Sequence, residues 1–158
     1  MQDELALDES NVNESKIEAP EADYLYIHPS QLIGAGQGLY TAITIHKDEV
    51  IALFDGEVIT FAEADIRAEL GIDQYLISQL DGNVMDSMHA DCFAKFANDA
   101  QGFTKSNFRN NARIMHDEED NICLIASRKI KAGEEIFCAY GKKYWKKQME
   151  RMKEADIT

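Results

Sequence analysis

The apolar and polar positions of this chain alternate in short β-type runs broken at close intervals by turn residues. The first run, YLYI over 24–27, halts near Pro29. Residues 34–42, GAGQGLYTA, open on glycines and pass into apolar sequence. In VIALFDGEVIT two apolar runs flank Asp55-Gly56, a pair that favours a tight turn, so the pattern predicts two strands joined there. Thr60 followed by Glu63 has capping-box spacing, and Gly71 is a left-handed terminator, which together predict a helix over 61–70. Strands are expected over 75–80 and 84–85 around Asp81-Gly82-Asn83, and over 112–115 and 122–126 around the acidic turn 116–120. Lys131-Ala132-Gly133 turns the chain into a further strand over 135–139, and 142–154 suits a terminal helix. Residues 98–111 are polar, end in paired asparagines, and are expected to form a loop on the surface or around a ligand. The predicted class is mostly β, a β-rich α+β fold of small antiparallel sheets with few short helices.

Composition narrows the picture. A chain of 158 residues with 45% hydrophobic and 28% charged positions suits one globular domain. Sixteen basic residues against 29 acidic ones leave a net charge of −13. Eight acids and one lysine fall within 1–23, which is expected to be a disordered acidic tail; the domain is then placed at 24–146 and a helical tail at 147–158. Such a charge repels phosphate backbones and attracts basic proteins, so no direct nucleic-acid binding is expected. No apolar run approaches the roughly 18 to 20 residues needed to span a bilayer, and the N-terminus is acidic, so neither a membrane nor a secretory signal is expected. Cys92, Cys123 and Cys138 are odd in number and set among apolar neighbours, which favours reduced thiols and an intracellular compartment. His89 and Cys92 form a lone His-x-x-Cys pair and no cysteine follows Cys138, so no metal site is expected.

Four ordered segments, GAGQGLYTA, VIALFDGEVI, DCFAKFANDAQG with NNARI, and IKAGEEIFCAYGKKYW, together resemble the SET domain over about residues 24–146. The last is the most specific. The resemblance implies a fold in which a C-terminal segment threads under a loop as a pseudoknot, and a protein lysine methyltransferase that uses S-adenosylmethionine. Cofactor and target lysine would enter from opposite faces.

On this resemblance Tyr140 is the catalytic tyrosine, whose hydroxyl would orient the amine. Ala35, Gly36, Gln37 and Gly38 match the segment that meets the methionine end of the cofactor, where glycines let backbone approach a ligand closely. Phe96, Asn98 and Asp99 fall on the stretch holding its adenine and ribose side; the family usually has Asn-His-Ser there, and this chain keeps Asn98 but carries Asp99 and Ala100. Trp145 matches an aromatic placed over the adenine. Tyr75 and Phe137 are candidates for the lysine channel or the nearby core, and Cys138, a channel candidate where many members have phenylalanine or tyrosine, would leave room for more than one methyl group.

The implied partner is a basic protein or peptide, with a histone tail a natural candidate, and nuclear placement would follow from that substrate. The departure at Asp99-Ala100 keeps a second reading open, a catalytically silent SET-like module that binds or scaffolds peptides.

Overall fold

The computed structural model describes residues 15–73, 75–79, 82–101, 106–116, 119 and 121–139. Ten strands are described: β1 (Ser15–Lys16), β2 (Leu25–Pro29), β3 (Gln37–Thr41), β4 (Glu49–Leu53), β5 (Glu57–Ile59), β6 (Leu76–Ser78), β7 (Val84–Asp86), β8 (Ala112–His116), β9 (Ile122–Ala126) and β10 (Glu135–Ile136). Two helices join them, α1 (Glu21–Tyr24) and α2 (Phe61–Glu69), with a 3-10 turn at Ala94–Phe96. The strands form three small sheets, in the orders β1-β4-β9-β8, β10-β3-β2 and β5-β7-β6. Every pairing is antiparallel except β1 with β4. This is the β-rich architecture of short elements that the sequence pattern predicts.

β9 shows how the pattern builds the core. Its five residues ICLIA are all buried, because β4 and β8 cover both of its edges and apolar groups cover both of its faces. Side chains alternate along a strand. Accordingly Ile122, Leu124 and Ala126 enter the main core with Leu39, Ile51 and Ile136, while Cys123 and Ile125 pack with Val50 and Met115 on the opposite side.

The helix forms as its caps dictate. Thr60 Oγ1 accepts a 3.1 Å hydrogen bond from Glu63 N. At the other end Gly71, at φ +76°, sends its N–H to Ala68 O, and Ile72 N reaches Arg67 O, the paired bonds of a Schellman stop. Arg67 then ties the helix down, its guanidinium meeting Glu63 and Glu57 at 3.0 Å and the buried Asp86 at 2.7 Å.

Two expectations are corrected. The strands on either side of Asp55-Gly56 do not form a hairpin, since β4 pairs with β9 and β5 pairs with β7. Gly56 instead lies so close to Asp86 O that a Cβ there would collide with it, so the dipeptide hands the chain from one sheet to another. The fold also takes in residues upstream of the boundary expected at 24. β1 pairs with β4, Ile17 packs against the main core, and Glu21 accepts a 3.0 Å bond from Leu53 N. Residues 1–14 of the tail expected over 1–23, the tail expected at 147–158 and the terminal helix expected over 142–154 lie outside the described residues.

Candidate functional site

The C-terminal segment is sewn to both ends of the 98–111 loop. Cys138 N donates to Asn98 O at 2.9 Å, and Phe137 O accepts from both Asn111 N and Ala112 N at 2.9 Å. Residues 137 and 138 therefore run as a parallel bridge between Asn98 and Ala112. The buried Asn111 completes the join: its Oδ1 accepts from Phe137 N at 2.8 Å and its Nδ2 donates to Glu135 O at 3.0 Å. The sequence marks Asn111 only as a turn residue.

Asn98 faces the glycine segment as well. Its Nδ2 donates to Gln37 O at 2.9 Å, so the 34–37 turn, Asn98 and Cys138 are joined by successive hydrogen bonds. Gly34 and Gly36 sit at φ +78° and +76°, the left-handed region, with nothing within 4 Å of where a Cβ would stand. The turn is open on that side, and its backbone, including Ala35, is accessible to a ligand.

Gly38 has a different reason to be glycine. It is buried, and a Cβ there would collide with the Glu135 carboxylate and come within 3.2 Å of Ser30 Cα. Its lack of a side chain is used by the chain's own packing. Glu135, 2% exposed, is in turn held by Ser30 Oγ at 2.6 Å, Gln31 N at 2.8 Å and Tyr40 Oη at 3.2 Å. Tyr40 also donates to Pro29 O at 2.7 Å, and its one proton is divided between the two acceptors. Burial, and then the negative Glu135 beside it, push the Tyr40 phenol up to about 12.

Asp99 is occupied locally. Its Oδ1 accepts from Gln101 N at 2.9 Å and Asn110 Nδ2 at 3.0 Å, while Asn110 Oδ1 takes Ala100 N at 2.8 Å. In this chain the aspartate closes the loop, which also explains why Asn110 is present.

The channel candidates separate. Consecutive residues of an extended segment point to opposite sides, so Phe137 and Cys138 cannot line one channel from one face. The Phe137 ring packs on Phe108, centroids 5.4 Å apart, beside a cleft of about 220 Å³ that Arg109, Arg128 and Gln31 also border. Cys138 is fully buried in the main core. Tyr75 immediately precedes β6, with the Lys95 ammonium 5.7 Å from its ring centroid and 5.3 Å from that of Phe96. Lys95, Asn111 and Glu135 are residues of this region that the sequence pattern did not single out. Tyr140 and Trp145 lie outside the described residues; Tyr140 follows Cys138 by two positions.

Among the described residues, no three His, Cys, Asp or Glu side chains come together as metal ligands, and no helix is long and apolar enough to cross a membrane. Cys92 Sγ instead donates to Asp55 O at 3.8 Å.

The family model for the SET domain matches residues 36–141, well over half of the chain. The chain belongs to the SET-domain family. SET domains are in general S-adenosylmethionine-dependent lysine methyltransferases. A solved structure described as apo ctPRC2 with mutations in Ezh2 is similar to this SET domain with a TM-score of 0.63 and 28% identity. The match covers 80% of this chain and 16% of that one, so the chain spans a small part of that neighbour's length.

Proposed function

We propose that this SET domain is a protein lysine methyltransferase that transfers a methyl group from S-adenosylmethionine to a lysine of a basic protein, a histone tail among the candidates. The observation that carries the reading is the hydrogen-bonded chain from Gln37 through Asn98 to Cys138, which joins the open glycine turn to the segment leading into Tyr140.

The residues fit the cofactor in kind. The 34–37 turn offers unhindered backbone, Asn98 anchors it, and the half-buried Phe96 supplies an apolar surface nearby. When bound, S-adenosylmethionine would supply an activated methyl on a sulfonium. The protein's own part is positioning. Holding amine and methyl in line removes much of the entropic cost of a bimolecular step. The incoming lysine must also be neutral, although its reference pKa is about 10.4, and a narrow apolar channel disfavours the ammonium form. Tyr140 Oη would accept a hydrogen bond from the amine and orient its lone pair. The net charge of −13 would draw a basic substrate toward the domain.

Calorimetry with S-adenosylmethionine on the wild-type chain and on Tyr140→Phe tests the reading when paired with a turnover assay. The expected result is comparable cofactor affinity in both and a loss of turnover of about 10²-fold or more in the variant. Equal turnover in the two proteins would remove Tyr140 from the chemistry, and no cofactor binding by either would support the silent-module reading.

A further inference from the structure

Long charged side chains usually lay their stems on the protein and carry the charge out to water. Lys95, in the middle of the 3-10 turn Ala94–Phe96, is half-buried and does the reverse. Its Nζ donates to Met88 O at 3.1 Å and to Ala90 O at 2.8 Å. Those carbonyls use two of the ammonium's three donors. The same ammonium attracts the faces of Tyr75 and Phe96 through their quadrupoles.

Four contacts therefore meet on one atom and join three separate segments: the residue before β6, the turn after β7, and the 3-10 turn that leads into Asn98. The turn is closed by its own backbone. Ser87 N donates to Tyr75 O at 3.1 Å, and Ala90 N donates to Ser87 O at 3.1 Å. Tyr75 is thus held through its carbonyl by Ser87 and across its ring by Lys95.

We propose that Lys95 is a positioning residue for methyl transfer: its ammonium fixes at a set spacing the rings of Tyr75, a candidate for the lysine channel, and Phe96, a candidate for the cofactor site. The inference rests on the methyltransferase reading of the same site. Lys95 acts through the two rings, and its donors are directed to carbonyls of its own chain. Removing the charge frees the Tyr75 ring and loosens the 87–90 turn, while the 34–37 turn and its bond to Asn98 stay in place.

The test compares wild type, Lys95→Met and Lys95→Arg on two independent readouts. The first needs no cofactor: NMR of the Tyr75 and Phe96 ring signals, with amide exchange at Ser87 and Ala90. Lys95→Met is expected to shift both ring signals and to speed exchange at both amides by about tenfold, the factor carried by one lost contact of about 1.4 kcal/mol. Lys95→Arg keeps a cation that can stack on rings and restores most of the protection. The second readout is steady-state kinetics with a lysine peptide. Lys95→Met is expected to lower kcat and raise the peptide KM, each by about tenfold, with cofactor affinity changed far less and Lys95→Arg again recovering. Unchanged ring signals and exchange would overturn the clamp whatever the activity. An altered clamp with wild-type kcat and KM would overturn its role in transfer. If wild type itself fails to bind S-adenosylmethionine while the clamp readouts respond as expected, the methyltransferase reading fails and Lys95 is a structural tie alone.

Discussion

Replacing Asn111 by alanine should disconnect the C-terminal segment from the sheet that supports it. The side chain is 2% exposed and makes two buried bonds, accepting from Phe137 N and donating to Glu135 O. Alanine leaves an amide N–H and a carbonyl without those partners in a site that admits little water. Each orphaned group costs about 1–3 kcal/mol, and the excised amide leaves a small void besides. Glu135 O also loses its only side-chain donor among the described residues, so relaxation in one direction strains the other. The expected loss is about 3 kcal/mol, a large part of the 5–15 kcal/mol that holds a typical domain together. Urea unfolding followed by circular dichroism measures it. Asn111→Asp sharpens the test: the carboxylate can still accept from Phe137 N, but it can no longer donate to Glu135 O and sets a negative charge against that carbonyl. It should be no better tolerated than alanine. A loss below about 0.5 kcal/mol for Asn111→Ala would refute the claim that this side chain holds the segment.

The other expectations follow from the same region and its supports. Gly38→Ala places a methyl group against a Glu135 carboxylate already fixed by Ser30, Gln31 and Tyr40, and should cost about 2 kcal/mol in urea unfolding, within the usual range for overpacking; a variant as stable as wild type would mean that Glu135 moves freely. Tyr24, through burial and the nearby Glu21 and Glu49, and Tyr40, through burial and Glu135, are both raised from 10.0 to about 12. Because the neutral phenols are favoured in the fold, their stabilising contribution is complete below pH 10 and is lost as pH climbs from 10 to 12. Ultraviolet titration should show both of these tyrosines ionising late, with one late step removed in Tyr40→Phe. Arg67→Met strands the buried Asp86 and should lower the urea midpoint, and the loss should shrink in an Asp86→Asn background; additive losses would contradict the pairing.

The sequence made local features legible and left distant ones hidden. α2 is read from Thr60, Glu63 and Gly71 because caps act within one or two turns of chain. The β6-β7 pair is read from Gly82 because two-strand turns are likewise local. The Asp55-Gly56 turn misleads for the same reason: a dipeptide reports that the chain bends, not which strand pairs with which, and here the partners lie in β7 and β9. Asn111 looks like a turn residue because asparagine favours turns; its burial is set by backbone groups at 135–137 that need partners. Glu135 reads as an ordinary strand position, yet its carboxylate is matched by Ser30 and Tyr40, about a hundred residues away in sequence. At the N-terminus the acidic excess concealed Ile17, whose single apolar side chain joins the main core. The candidate site divides in the same way. Asn98 and Gln37 were recognisable by family resemblance and do meet, whereas Lys95 offers no sequence signal, because its importance comes from two rings and two carbonyls brought to it by the fold.

The central claim is tested most directly by incubating the purified wild-type chain with methyl-labelled S-adenosylmethionine and a mixture of histones, then locating the label by mass spectrometry. The account predicts label on lysine side chains in the presence of wild type, reduced to background with Tyr140→Phe. Wild-type protein that binds the cofactor yet leaves every lysine unlabelled, in histones and in other basic proteins alike, would contradict it.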